Sequence, residues 1–457
     1  MHWKLEVQEY GKIEYAEIAM APLTLFVGDN NSGKSYLLTL LWGIKNLGVE
    51  GLLGDVDGKP LKEEYLLMNW LREQIKVAWE KGSCICKVSQ VADICQSILD
   101  KWLKRNKDGL VKKIFNSKDV RIKGLRLKLK GLEEVTFKIK RDRKANENSG
   151  FTFGNEQTQR FGRFYSSKKL LDAEEKIDRF MIFTVFSMVL DIDLAESNIN
   201  SDIYLPSSRT GFMLTKDIIN KVGRNTAFNI RMERETVIPF SRPINQFLDV
   251  INDLTADSGG NKKFREITQY LESGMAEGTL EISALPNKEL SYVPAGDYIP
   301  AGRSSGLPLR VVSAVVTELS PLILILKHKE CLHTLFYEEP EMCLHPQLQH
   351  KMAKVICRMV NCGLVLAITT HSDIILQHIN NMIRLSGREE QNEICQELGY
   401  SSEELLQPQQ VKVYQLKSRP EGKTTVEELK CGQNGFVIPT FNEALDKIMD
   451  EAYRIQE

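Results

Sequence analysis

Gly28, Gly33, Lys34 and Ser35 stand at the spacing G-x-x-x-x-G-K-[ST], inside the stretch FVGDNNSGKSYLLTLLWGI. Glycines at those two positions let the backbone wrap an anion. Successive N–H groups, those of Asn30, Asn31 and Ser32 among them, then point inward where the next helix starts and its dipole favours negative charge. Lys34 would reach the β- and γ-phosphates of a nucleotide, and Ser35, with Tyr36 beside it, would offer its hydroxyl to Mg²⁺. A glycine-rich turn can carry the same letters by accident, so the flanks decide. An apolar run, Leu23 to Val27, precedes the loop and an apolar-periodic stretch, Tyr36 to Ile44, follows it. Strand, loop and helix is the setting this motif requires.

Two adjacent acids, Glu338 and Glu339, follow the short apolar run Leu335 to Tyr337, and Pro340 prevents the strand from continuing. Neighbouring strand residues face opposite ways, so the pair can divide two tasks. Glu338 would serve Mg²⁺, and Glu339 would polarise an attacking water. A Glu-Glu pair on a surface means little; behind an apolar strand and downstream of a phosphate loop it acquires a role. A second apolar run, Leu364 to Ile368, ends in TTHSD with His371 at its tip. A neutral histidine there can hydrogen-bond a γ-phosphate and hold the water-activating acid, the alternative being a capping or core histidine. Glu339, His371 and Lys34 are thus the candidate catalytic groups.

The elements that must position these groups lie far apart in the chain. Leu5 to Tyr10 and Tyr15 to Leu25 read as strands, punctuated by Gly11, that lead into the loop. Residues 49–113 read as mostly helical, broken by LLGDVDGKP. Leu125, Leu127 and Leu129, then Val135, Phe137 and Ile139, alternate with charged or polar residues, which predicts a hairpin turning near Gly131 with one cationic face. Helical patterns follow over Lys168–Leu190, Arg242–Leu254 and Lys262–Leu271, and a last one over Phe441–Tyr453.

At 457 residues, 42% hydrophobic and 26% charged, the composition is that of a globular chain able to bury a large core. MIFTVFSMVL and LILIL are too short for a membrane span, and the N-terminus has no signal-like apolar core, which predicts a cytoplasmic protein with no membrane partner. The nine cysteines form no disulfide framework, and Cys84, Cys86 and Cys95 read as thiols rather than as a zinc site. Six of the seven histidines fall between His328 and His378, but no metal-type H-E-x-x-H pair occurs among them. Between Lys101 and Lys144, seventeen Lys or Arg stand against five Asp or Glu. Such a run is either a solvated face or a surface for an acidic partner, with a sequence-independent DNA contact as its furthest reading.

GDNNSGKS, EEPEMCLHPQLQ and ITTHSD, with LPSSRTG and RSSGLPLR as companions, resemble the motifs of ABC-type AAA ATPases. That group includes the ATPase part of OLD proteins and the heads of SMC and double-strand-break-repair ATPases. The resemblance spans nearly the whole chain and implies an α/β fold: an ABC-type P-loop NTPase head with an antiparallel β-subdomain and helical insertions. The head would comprise about 1–48 and 278–457 with a β-hairpin at 120–144, with helical insertions at 49–118 and 155–275. ATP and Mg²⁺ are the implied cofactors, with Ser35 and Glu338 at the metal. Ser304, Ser305 and Gly306 match the signature that reaches across a dimer to the γ-phosphate on the partner's loop, which implies composite sites in a homodimer or higher homo-oligomer.

The order of motifs is also similar to that of ATPase subunits in bacterial anti-phage gene pairs such as Septu and PARIS. That similarity implies a separate effector, a nuclease or toxin encoded nearby. Asp29 stands where many relatives have Pro or Glu, and Cys343 where many have His; no residue is assigned to the glutamine loop. An OLD-type nuclease would need acids that the chain after His371 does not show as a D-x-D pair. A chromosome-organising head would need a long heptad coiled coil, which the interval from Lys34 to Glu339 does not contain.

Overall fold

The computed structural model describes residues 2–53, 60–142, 148–155, 160–167, 178–193, 201–228, 240–255, 261–283, 289–296, 306–438, 449–451 and 453–455. The chain divides into two compact units, Met1–Ala19 with Gly43–Asn198, and Met20–Trp42 with Ile199–Glu457. The expected insertion at 49–118 and hairpin at 120–144 both fall in the first unit, whereas 155–275 is shared between the two. The helix expected over Phe441–Tyr453 lies mostly outside the described residues.

In the first unit β1 (Trp3–Tyr10) and β2 (Ile13–Ile18) form an antiparallel hairpin around Gly11, whose φ of 57° a glycine adopts without strain. α2 (Gly48–Leu53), α3 (Lys62–Lys81), α4 (Ala92–Phe115) and α5 (Arg179–Leu190) supply its helices. Trp102 of α4 is buried against Phe183 and Phe186 of α5, and the Trp3 indole N–H donates to the Leu190 carbonyl at 2.9 Å.

The hairpin expected at 120–144 does not form. β5 (Ile122–Leu129) pairs with β1, whereas β6 (Thr136–Asp142) lies between β4 (Ser83–Lys87) and β7 (Asn148–Asn155) in a different sheet, which β8 (Arg160–Ser167) completes. The alternation was informative, since Leu125, Leu127, Val135, Phe137 and Ile139 are all buried. What alternation could not supply was the partner. Pairing β5 with β6 would set Arg126 and Lys128 against Lys138 and Lys140, like charge on like. Against β1, Arg126 lies opposite Glu6, and both Arg126 and Lys128 sit 3.9 Å from its carboxylate. Arg126 also makes two 2.9 Å hydrogen bonds to Asp100. The single cationic face is therefore split between two sheets and partly neutralised.

The second unit is built on β3 (Leu23–Gly28), with β15 (Val411–Ser418) parallel on one side and β14 (Val365–Thr369) parallel on the other. β13 (Thr334–Glu338) and β9 (Asp202–Leu205) continue the parallel run, and β16 (Thr424–Leu429) pairs antiparallel with β15. Strands covered on both faces need near-continuous apolar sequence, and β3, β13 and β9 are buried along their whole length. Of the helices in this unit, α1 (Lys34–Asn46) follows β3 and runs on into the first unit, and α6 (Arg209–Phe228) follows β9. α7 (Arg242–Asp253), α8 (Arg265–Leu271), α9 (Ala314–His328), α10 (Pro346–Asn361), α11 (Asp373–Ser386) and α12 (Gln391–Leu398) complete the set. A small antiparallel sheet joins β10 (Gly278–Ile282), β11 (Leu290–Pro294) and β12 (Leu307–Pro308). Among the described residues no helix is long and apolar enough to cross a membrane.

Candidate functional site

Parallel order delivers the carboxyl ends of β3, β14 and β13 side by side, and a ligand crevice opens at such an edge. The loop after β3 is held by its own geometry. Gly28 has φ 127°, and a Cβ there would lie 2.0 Å from the Leu416 carbonyl oxygen of β15, so only glycine fits. Gly33 has φ 101° and Asn31 φ 58°, both left-handed, which curls the loop back onto the first turn of α1. Asp29 is tied down by its carboxylate, which accepts from the Ser418 N–H at 3.0 Å.

Lys34 is buried and turns inward, donating to the carbonyls of Gly28 at 3.0 Å and Asp29 at 2.6 Å. Burial lowers its pKa to about 8, although Glu339, Asp29 and Glu341 oppose the shift. Asn30, Asn31, Ser35 and Tyr36 are exposed. The Ser32 hydroxyl is fully buried and has no hydrogen-bond partner among the described residues. A buried orphan hydroxyl in the same loop as the Lys34 ammonium, with no room for a Cβ at Gly28, is what a bound polyphosphate would complete. The residues present fit ATP with Mg²⁺.

β13 ends in Glu338, buried, with one carboxylate oxygen accepting from the Ser207 N–H at 2.9 Å. Glu339 follows in a left-handed conformation, φ 43°, with its N–H donated to the Thr369 carbonyl at 2.9 Å. The turn points its carboxylate toward His371, whose Nε2 is 3.9 Å from Oε1, a gap that one bridging oxygen can span. Burial and the neighbouring Glu338 raise the Glu339 pKa, against the pull of Lys34 and Arg209. Burial and Lys34 lower that of His371, which keeps the imidazole neutral.

The structure thus brings Gly28 to Tyr36, Glu338, Glu339 and His371 to one sheet edge. Gly306 belongs elsewhere, immediately before β12 of the small antiparallel sheet, where a Cβ would lie 2.8 Å from the Tyr292 carbonyl oxygen. Ser304 and Ser305 lie outside the described residues. Three of the other clustered histidines have structural roles. His345 caps α10, and the rings of His350 and His378 meet edge to face at 4.3 Å, with burial lowering His378 to about 3.

The sequence motifs assign no role to two side chains that the structure places here, Glu341 and Arg209. Glu341 binds the histidine loop, accepting from the His371 N–H at 2.5 Å and the Thr370 hydroxyl at 3.0 Å, and burial raises its pKa. Arg209 is wholly buried beneath the acids, donating to the carbonyls of Pro206 at 3.0 Å, Glu338 at 2.7 Å and Glu339 at 2.9 Å, and paired with Glu318 of α9. The signal for the pair was Glu318 itself, a lone acid in the apolar helix AVVTELSPLILILKH.

A parallel α/β sheet with a phosphate loop after one strand and paired acids after another defines a nucleotide-hydrolysing P-loop protein. The family described as AAA ATPase domain matches residues 1–376, and the chain belongs to that family and is an ATPase. Among curated proteins no relative matches. Two solved structures resemble it: the SMC head bound to the C-winged helix domain of ScpA, and the SMC head domain from Thermotoga maritima. The first is 12% identical, covering 93% of this chain and 97% of that one at a TM-score of 0.38. The second is 11% identical, covering 93% and 98% at 0.32.

Proposed function

We propose that the chain binds ATP with Mg²⁺ in the loop from Gly28 to Tyr36 and hydrolyses it with Glu339 as the base that orients and deprotonates water. Lys34 leaves its two backbone carbonyls for the phosphates. Ser35 and Glu338 hold Mg²⁺, which supplies charge neutralisation across the phosphates. His371, neutral, bonds the γ-phosphate side and steadies Glu339. The observation that carries this reading is the Glu339 carboxylate, partly desolvated and borne on a left-handed backbone, at the end of β13, with only β14 between it and the strand that leads into the phosphate loop.

Ser304, Ser305 and Gly306 complete the site of a second copy, so that two protomers enclose two nucleotides. The arrangement acts as a sensor or switch for a separate effector, a nuclease or toxin, in anti-phage defence in the cytoplasm. The order of motifs supports that part, and a membrane permease gene next door would sink it. Of the basic stretch, Lys138 and Lys140 are exposed and open to a DNA backbone, whereas Lys101, Lys123 and Arg126 already face carboxylates.

Glu339→Gln tests the assignment, because the amide keeps the size of the side chain and cannot take the proton. ATP affinity is expected to stay within about twofold while turnover falls roughly 10²- to 10⁴-fold. Sedimentation of the same variant with ATP is expected to show a larger species than without. Turnover near wild type would move the base to another acid.

A further inference from the structure

We propose that Arg209 is a positioning residue for Glu339, and that it ties the turn of the two acids to the helix that follows the signature glycine. The inference rests on the reading of Glu339 as the base. Glu339 has φ 43°, a conformation that a residue with a Cβ adopts only where its surroundings over-determine it. The surroundings here are the Arg209 guanidinium, the Thr369 carbonyl and the Met342 N–H, which also donates to the Glu339 carbonyl, at 3.1 Å. Nη1 of Arg209 holds the Glu338 carbonyl at 2.7 Å and Nη2 holds the Glu339 carbonyl at 2.9 Å, while the Glu339 N–H is held by Thr369 at 2.9 Å. Both peptide planes that flank the Glu339 Cα are thereby fixed, and with them the direction in which its carboxylate leaves the backbone.

The guanidinium is fixed in turn. Its carbon lies 4.8 Å from the centre of the Tyr337 ring, Nη1 also holds the Pro206 carbonyl, and Glu318 supplies the counter-charge. The other oxygen of Glu318 accepts from the Thr210 hydroxyl, next to Arg209 on α6. The guanidinium serves four acceptors at once, the carbonyls of Pro206, Glu338 and Glu339 and the Glu318 carboxylate, whereas an ammonium has three N–H donors on a single nitrogen and lacks the fork's reach. Glu318 belongs to α9, the first long helix after Gly306, so a displacement of α9 on engaging a second copy's nucleotide would be felt at the Glu339 turn through this one side chain.

A structural ion pair and a positioning residue make different predictions for Arg209→Lys, which keeps the charge beside Glu318 and loses the fork. Positioning predicts a fall in kcat of about tenfold or more with the KM for ATP within about twofold. It also predicts no further loss when the same change is made in Glu339→Gln, where no base remains to aim. An equal fractional loss in both backgrounds, or kcat held at the wild-type value, overturns the proposal. Should Arg209→Lys not fold, Glu318→Asp decides: the charge stays but the shorter side chain draws the guanidinium away from the carbonyls. A several-fold fall in kcat at unchanged KM then supports positioning, and wild-type kcat overturns it. Glu339→Gln with wild-type turnover would overturn the site assignment and this proposal with it, whereas a normal Glu339→Gln loss beside an inert Arg209→Lys overturns the proposal alone.

Discussion

The edge of the parallel sheet and the basic stretch of residues 101–144 both stand out in the sequence, and they behave oppositely in the structure. At the sheet edge, groups more than three hundred residues apart converge, because parallel pairing of β3, β14 and β13 leaves their carboxyl ends nowhere else to go. In the basic stretch, charges close together in the chain are dispersed over α4, β5 and β6 and are met by acids such as Glu6, Glu63 and Asp100. A motif tied to strand ends survives folding as a site. A count of charges does not survive as a field, since the partners that neutralise it come from other segments.

The largest effect that would sharpen the contrast is expected from Lys34→Ala. The loop loses its one ammonium, and ATP turnover should fall by at least about a hundredfold, with nucleotide binding lost in calorimetry. Binding at wild-type strength would mean that the convergence at this edge serves something other than phosphate.

A smaller effect follows from the lowered pKa of the same lysine. With a free-protein pKa of about 8, Lys34 is charged below that pH and neutral above it, whereas bound phosphate favours the charged form. ATP affinity should therefore be flat below pH 8 and decline above it by up to about tenfold per unit, with proton uptake on binding. Calorimetry in buffers of differing ionisation enthalpy reads that uptake directly. Affinity independent of pH up to 10 would show that the loop does not depend on this charge.

The smallest effects lie in the basic stretch and separate its paired charges from its exposed ones. Arg126→Glu places a carboxylate among Glu6 and Asp100, and a loss of about 1 kcal/mol in unfolding free energy is expected after allowing for solvent screening. Lys138→Glu, exposed on β6, should stay within about 0.5 kcal/mol. Equal shifts in the denaturant midpoint would break the distinction drawn here.

The phosphate loop, the acid pair and the histidine were legible because each is a short motif whose flanking strand and helix are local in the chain. Helices over Arg242–Asp253 and Arg265–Leu271 were legible for the same reason, from the period of their apolar residues. The partner of β5 was not, because alternation gives the buried face of a strand and not the strand beside it; that choice rested on Glu6, more than a hundred residues away. Arg209 was in view only as part of LPSSRTG. Its function depends on carbonyl oxygens, and backbone acceptors leave no letter in a sequence.

The central strand has a further consequence, for synthesis on the ribosome. β3 is complete by Gly28, but its two neighbours are Val365–Thr369 and Val411–Ser418. At about 5–20 residues per second, roughly 20–80 s pass between translation of β3 and translation of β15. Until Thr369 is made this strand, apolar but for Thr24, has neither native neighbour, and until β15 follows one edge stays open, the condition in which nascent chains recruit chaperones or stick to one another. The nucleotide site is therefore among the last parts of this chain able to form, and a truncated translation product would expose the strand without ever acquiring the pocket.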